Sequence, residues 1–181
     1  MGSPFLVPVA ALIRDIPSST TVAFSAPFDP QHEVEARPAG EGEVPEGAEV
    51  EVALTIASFS GGLRATGSVR CPWVGRCRRC SKDIGGLIDA PVAELLKNDR
   101  SASDEAYLYH GDVVDLSPLV HDAIFLELPI VPLCSEDCRG LCAQCGTDLN
   151  EATCDCTAPV DPRWAKLSEL TFDENSSESP E

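Results

Sequence analysis

Eight of the nine cysteines stand in close pairs, and this spacing is typical of metal ligands. The pairs are Cys77/Cys80, Cys134/Cys138, Cys142/Cys145 and Cys154/Cys156. Eight thiolates make two sets of four, and four thiolates in a tetrahedron are the ligand set of a structural zinc ion. A zinc ion with four protein ligands has no open position for a substrate water. The sequence therefore predicts one or two structural zinc ions as the cofactor, and it argues against a metallohydrolase.

The order of the pairs leaves their grouping open. Cys142-Ala-Gln-Cys145-Gly146 has the form of a zinc knuckle, in which the glycine permits the positive φ of a tight turn. In the grouping that we favour, the last two pairs share one ion and the first two pairs share another. In the competing grouping, the second and third pairs share one ion. A further possibility is that a single zinc binds and the other cysteines are free thiols or buried apolar residues.

A redox function is the alternative for Cys77 and Cys80. Arg76 precedes them, Arg78 and Arg79 stand between them, and nearby positive charge lowers the pKa of a thiol and favours the reactive thiolate. A thioredoxin-type motif, however, should lie between a strand and a helix in a βαβ unit. This pair lies instead in a turn between two predicted strands. A thiol-based oxidoreductase or redox sensor is therefore the second hypothesis.

A run of basic residues around this turn is the predicted nucleic-acid contact. Between Arg64 and Lys82 there are six basic residues and no acidic one, and Trp73 could stack on a base. The predicted RNA-binding residues are Arg64, Arg70, Trp73, Arg76, Arg78, Arg79 and Lys82. The alternative is that these cations neutralise thiolates or pair with acidic groups of the same chain.

The formal net charge of -17 is unevenly distributed along the chain. Residues 1–100 carry 10 basic and 13 acidic side chains, whereas residues 101–181 carry 3 basic and 17 acidic ones, a net of -14. A field of this sign repels nucleic acid and attracts basic proteins. We therefore expect any contact with RNA to be local.

Other residues give no indication of catalysis. The histidines His32, His110 and His121 are isolated in sequence, and we expect them to be ordinary surface residues. The carboxylates around the predicted second helix fit solvated positions better than a catalytic pair. The sequence therefore predicts a protein that is not an enzyme and has no small-molecule substrate.

The predicted elements are few and short. They are a helix over 8–16, strands over 20–24, 49–59, 63–71 and 84–95, a helix over 117–128 and a short helix from 161. Ser117 is the expected N-cap of the longer helix, with Pro118 at its first turn. These elements predict an α+β fold: a twisted antiparallel sheet or partial barrel with a few short helices and a zinc-tied C-terminal subdomain. The predicted domains are a core over 1–132, a cysteine-rich subdomain over 133–172 packed on it, and a disordered acidic tail over 173–181.

The sequence shows neither a good signal peptide nor a membrane span, and this predicts the cellular compartment. The apolar run from Phe5 to Ile13 is interrupted by Pro8 and has no positive residue before it, so it is a poor signal peptide. No stretch approaches the roughly 20 apolar residues of a membrane span. We expect a cytoplasmic protein with no membrane partner. In the reducing cytoplasm, paired cysteines bind metal more often than they form disulfides.

Three stretches together resemble the YceD family, which is named for its link to the accumulation of large-subunit ribosomal RNA. The stretches are CRRC (77–80), DLSPLVHDAIFLELPIVPLCSEDCRGLCAQCGTDLN (115–150) and DPRWAKLSEL (161–170). The resemblance extends from about residue 5 to residue 170. Cys71, the loop over 36–48 and serine at position 81 depart from the family pattern.

The resemblance implies a non-enzymatic cytosolic factor for the synthesis, processing or assembly of the large ribosomal subunit. Its partners would be a large-subunit precursor, ribosomal RNA, a basic ribosomal protein or a combination of these. By position, Cys77 and Cys80 match the first family motif, and the four cysteines from Cys134 to Cys145 match the second. The resemblance supplies no catalytic residue.

Overall fold

The computed structural model of the chain describes residues 3–28, 42–98, 106–157, 163, 164 and 166. Contacts divide the chain into two compact units, Met1–Cys138 and Arg139–Glu181. The predicted boundary lay at residue 132, and the division into domains stays a prediction. The predicted tail over 173–181 and most of the predicted helix from 161 lie outside the described residues.

The first unit contains the regular elements, numbered here in chain order. They are β1 Leu6–Pro8, α1 Ala10–Arg14, β2 Ser19–Pro27, β3 Glu49–Phe59, β4 Gly62–Arg76, β5 Asp83–Asn98, β6 Tyr107–Tyr109, β7 Val113–Asp115 and α2 Ser117–Glu127. Strands β2 to β6 form one sheet in sequence order, and β1 pairs with β7 in a second, two-stranded sheet. The described residues are therefore mostly sheet with two short helices, as the predicted α+β class requires.

Alternation of apolar and polar residues builds the five-stranded sheet, and β3 shows this most clearly. Val50, Val52, Leu54 and Ile56 are at most 2% exposed, whereas Glu49 on the same strand faces solvent. Successive side chains of a strand point to opposite faces, so this pattern buries one face and exposes the other. Helix α2 covers the buried face and packs against β4 and β5. The predicted strand over 49–59 is confirmed to the residue.

Strands β4 and β5 are longer than predicted and extend beyond their neighbour. Strand β3 pairs with β4 only as far as Arg70, whereas β4 and β5 pair with each other as far as Arg76 and Asp83. The ends of these two strands therefore form a two-stranded arm. Its tip carries Cys77 and Cys80, so the sheet directly positions the first cysteine pair.

The sheet differs from the prediction in two respects. It is open, with β2 and β6 at its edges, so the described residues do not form a closed barrel. It is also not wholly antiparallel, because β6 runs parallel to β5. The three-residue strands β1, β6 and β7 were not predicted, since segments this short carry no measurable alternation.

Helix α1 begins later than predicted, and helix α2 has a different N-cap from the predicted one. Helix α1 has only five residues, because Leu6–Pro8 forms strand β1 before it and the helix ends at its C-cap, Asp15. In α2, Ser117 is the first helical residue and not the cap. Its backbone N–H donates to the Asp115 carboxylate at 2.9 Å, so that carboxylate satisfies an otherwise unpaired donor of the first turn.

Candidate metal centres

The first candidate centre brings two distant cysteine pairs together. The sulfurs of Cys77, Cys80, Cys134 and Cys138 all lie within 4.8 Å of one another. The Sγ atoms of Cys77 and Cys138 are 3.8 Å apart, and those of Cys80 and Cys134 are 3.6 Å apart. A tetrahedron with Zn–S bonds of 2.3 Å has edges of about 3.8 Å. These two separations match the edge of a zinc–thiolate tetrahedron, and the other sulfurs of the group are close enough to share the same ion.

The second candidate centre is built from a single short segment. The ligand atoms of Cys142, Cys145, Cys154 and Cys156 also lie within 4.8 Å of one another. The structure thus assembles the eight cysteines in the grouping favoured from the sequence. That these residues hold metal, and that the metal is zinc, stays a prediction.

The two C-x2-C turns share one backbone geometry. The N–H of Ser81 donates to the carbonyl of Cys77 at 2.8 Å, and the N–H of Gly146 donates to that of Cys142 at 2.9 Å. Each first cysteine then donates its own N–H to a carbonyl five residues later, that of Lys82 or Thr147. The turn at Cys77 is therefore a second knuckle. The sequence obscured it because serine replaces the expected glycine.

Contacts from the segment after α2 hold the first centre in place. The Nη1 atom of Arg79 donates to the backbone carbonyls of Glu136 and Cys138 at 3.0 and 2.8 Å. The N–H of Arg78 donates to the carbonyl of Pro132 at 2.9 Å. Ile84 and Leu133 pack against the buried cysteines of this centre. One of the predicted RNA-binding arginines, Arg79, therefore has a structural contact.

The thiols of the first centre have opposed pKa shifts. The backbone N–H of Cys80 stabilises a thiolate on Cys77 and lowers its pKa to about 6. The Lys82 backbone N–H lowers the pKa of Cys80, but burial and the neighbouring cysteines outweigh it and raise that pKa to about 12. One thiolate thus opposes the ionisation of the next. A divalent cation at the centre reverses this opposition, since it favours every thiolate around it.

The second centre follows the same electrostatic pattern. The Thr147 side chain, 3.1 Å from the sulfur of Cys145, lowers the pKa of that cysteine to about 6. The interaction with Cys145 in turn raises the pKa of Cys156 to about 12. Sulfur separation, turn geometry and charge in both groups fit a tetrahedral zinc site. The Zn–S₄ arrangement would supply a cross-link and no reactive position.

The predicted basic surface is divided in the structure. Arg70 pairs across the strands with Asp89 at 3.1 Å, and Arg76 pairs with Asp83 at 3.1 Å. Both pairs are solvent-exposed, and pairs of this kind contribute little to stability. Arg64 lies twelve residues before Arg76 on the same strand, about 40 Å away when extended. The basic residues therefore form a stripe with its densest part at the tip of the arm.

Trp73 does not share the face of those arginines. Side chains alternate along β4, so Trp73 faces the opposite side from Arg70 and Arg76 and packs against the hydrophobic core. Its indole lies over Gly86 on the paired strand, where a Cβ would stand 2.9 Å from Nε1. A side chain at position 86 would therefore force the indole to move. The role of Trp73 and the arginines in RNA binding stays a prediction.

Cys71 and His121 have packing roles that the sequence did not indicate. Cys71 is completely buried in the hydrophobic core, and burial raises its pKa to about 11. His121 was expected at the surface, but its side chain is only 15% exposed. Its ring stacks parallel to Phe28 and lies 4.2 Å from the ring centre of Phe125.

No helix among the described residues is long and apolar enough to cross a membrane.

Two plant proteins named for ribosomal RNA are among the relatives of this chain. The protein named large ribosomal RNA subunit accumulation protein YCED homolog 1, chloroplastic, of Arabidopsis thaliana is 26% identical over 146 residues, which cover 63% of this chain and 46% of the relative. The protein of the same name from Zea mays is 41% identical over 141 residues, covering 60% and 48%.

A bacterial relative covers more of the chain. An uncharacterized protein of Mycobacterium tuberculosis is 37% identical over 133 residues, which cover 70% of this chain and 64% of the relative. The chain thus spans less than two thirds of the length of the curated relatives it matches. No solved structure matches the chain.

The family follows from a match that includes both candidate centres. The family model described as large ribosomal RNA subunit accumulation protein YceD matches residues 65–171, which is 107 of the 181 residues. All eight paired cysteines fall inside this span. The chain belongs to the YceD family.

Proposed function

We propose that this protein is a non-enzymatic factor that supports the accumulation of large-subunit ribosomal RNA and the assembly of the large ribosomal subunit. Family membership is the observation that carries the proposal, because the family and two plant relatives are named for this RNA. The chemistry of the chain is compatible with it. Two groups of four sulfurs can brace a binding surface, but they leave no coordination position for a substrate.

In this proposal each group of cysteines holds one structural zinc ion. The sulfur separations of 3.6 and 3.8 Å support zinc in the first group, and the shared knuckle turn supports the same ion in the second. The first ion would fix the tip of the β4–β5 arm to the segment after α2. The protein would act in the cytoplasm, where thiols stay reduced and available to metal.

Charge suggests how the protein meets its partners. Residues 101–181 carry a net charge of -14, which would attract a basic ribosomal protein and repel RNA. Arg76, Arg78, Arg79 and Lys82 stand within seven residues at the tip of the arm. We infer that RNA contacts this tip and that the acidic part screens or guides a basic protein.

Co-sedimentation with large-subunit precursors tests the proposal. Depletion of the protein should lower the ratio of large-subunit to small-subunit RNA, and the tagged protein should migrate with large-subunit particles. An unchanged RNA ratio together with absence from those particles would refute the proposed function.

A matched pair of variants locates the RNA contact. Lys82→Glu at the tip should weaken co-sedimentation and reduce its salt dependence, since the salt dependence follows the number of phosphate contacts. Arg64→Glu reverses one exposed charge on β4, far from the tip, and should have little effect. Equal losses in the two variants would argue against a contact at the tip. Arg79 is left intact because it binds two backbone carbonyls.

A thiol-based redox function is the second candidate, and the lowered pKa of Cys77 favours it. A reactive thiolate at neutral pH needs such a shift. Elemental analysis with thiol titration separates the two candidates. Stoichiometric zinc with slowly reacting thiols supports the structural role, and metal-free protein with a rapidly alkylated Cys77 supports the redox role.

A further inference from the structure

The two candidate centres differ in how far solvent reaches their sulfurs. Cys77 and Cys138 are 2% exposed and Cys80 is 8% exposed, so most of the first centre lies in the interior. In the second centre, Cys145 and Cys156 are exposed. A competing ligand must approach the ion before it can displace a sulfur. The second centre offers that approach at two of its four sulfurs, and the first offers it only at Cys134.

The centres also differ in what holds their ligands without metal. The first centre combines a turn at the end of two long strands with a segment that Arg79 binds through two carbonyls. In the second, the knuckle is braced by the bridge between Leu141 and Asp148. Cys154 and Cys156, however, lie in the segment 152–157, which has no helix or strand. The segment of Cys134 and Cys138 is also irregular, but the contacts of Arg79 hold it. The ligand shell of the second centre is therefore half preorganised, and outer contacts of this kind strongly affect metal affinity.

The consequences of losing an ion also differ. The ligands of the first centre come from positions 77 to 138 and tie together parts of the chain that are distant in sequence. The ligands of the second come from positions 142 to 156, a span of fifteen residues. Loss of the first ion would remove a link between the tip of the arm and the segment after α2, which the contacts of Arg79 would then hold alone with the backbone of Arg78. Loss of the second releases only a local loop.

We propose that the second centre is a labile zinc site, which gives up its ion to competing thiolate or nitrogen ligands while the first centre keeps its own. This inference rests on the zinc binding in the proposed function. An incoming ligand would bind the ion as the Zn–S bond to Cys156 breaks, and the departing thiolate would take up a proton from water. The second unit would then exist in loaded and unloaded forms that depend on available zinc, while the first unit stays folded.

Zinc release from the full chain tests this inference. Protein loaded with two zinc equivalents is mixed with excess chromogenic zinc chelator, and release is followed by absorbance. We expect two phases of equal amplitude, the faster by roughly tenfold or more. Cys154→Ser combined with Cys156→Ser should abolish the fast phase and leave the slow one, and Cys71→Ala should keep both.

A fluorescence readout assigns the slow phase to the first unit. With Trp164→Phe, Trp73 is the only remaining tryptophan, and it lies on β4 four residues before Cys77. Its emission should stay constant through the fast phase and change in the slow phase. A single release phase, a fast phase that survives the double variant, or an early change in Trp73 would each overturn the inference.

The same experiment separates this inference from the proposed function. Two bound ions that leave in one phase would contradict unequal centres and leave the ribosomal role intact. Biphasic release from a protein that does not associate with large-subunit particles would support unequal centres and contradict the ribosomal role. Protein that binds one ion or none would also overturn the inference.

Discussion

Ser81 and Gly146 occupy the same position in two equivalent turns. Each follows the second cysteine of a C-x2-C pair and donates its backbone N–H to the carbonyl of the first. Both have left-handed backbone conformations, with φ of 59° and 74°. A glycine adopts this conformation freely, but a serine is strained in it. The fold therefore imposes one geometry on both turns, although only one sequence is suited to it.

Ser81→Gly is accordingly expected to stabilise the protein. The left-handed conformation costs a serine about 1 kcal/mol, and the greater freedom of glycine in the unfolded chain offsets part of this gain. We expect a net increase of about 0.5 kcal/mol in the free energy of unfolding, measured by denaturant titration of the zinc-loaded protein. Gly146→Ala is the matched reverse change, and no atom obstructs the added Cβ. It should destabilise by about 1 kcal/mol, so two changes of the same sign would contradict a shared turn geometry.

The predictable part of this fold is the part that depends on residues close together in sequence. The alternation in β3 and the Pro118 start of α2 were both readable, because each depends on residues adjacent in sequence. The inward position of Trp73 could not be predicted from the sequence. It follows from the extension of β4 beyond Pro72, and a proline in a predicted strand argues against such an extension. A single predicted surface was thus divided between two faces.

The candidate site shows the same limit. Spacing identified the knuckle at Cys142, because glycine marks its turn. The equivalent turn at Cys77 lacks that mark, and its partner pair lies more than fifty residues away. The contact between Arg79 and the carbonyl of Cys138 likewise depends on tertiary structure. The sequence was sufficient to predict the eight cysteine ligands, but the contacts that hold them in position are visible only in the folded structure.

Arg79 is expected to stabilise the first centre without binding metal. Arg79→Met keeps the apolar part of the side chain and removes both hydrogen bonds to the segment over 134–138. We expect a loss of about 1 kcal/mol in the free energy of unfolding. Release of the slowly exchanging zinc should become roughly tenfold faster. Arg64→Met removes an equivalent charge from β4 and should change neither quantity, so an equal effect there would indicate a general charge effect.

Metal content should distinguish the paired cysteines from the ninth one. Cys80→Ala removes one of four sulfurs in the first group and should lower bound zinc from two equivalents to one. Cys71→Ala removes a buried sulfur six residues before Cys77, outside both groups, and should leave two equivalents. Elemental analysis of the purified variants measures this directly. Loss of zinc in the Cys71 variant would place that residue in a centre and contradict the grouping.

Cys71 should also make stability depend on pH in the alkaline range. Burial raises the pKa of its thiol from 9.0 to about 11, so the folded protein keeps the proton after the unfolded chain has lost it. The folded state binds more protons between these values, and its stability therefore falls as the pH rises from 9 to 11. The loss should reach about 2 kcal/mol. Subtracting the Cys71→Ala profile from that of the unsubstituted protein removes the contribution of other titrating groups. A flat difference over this range would show that the thiol ionises in the folded core as readily as in the unfolded chain.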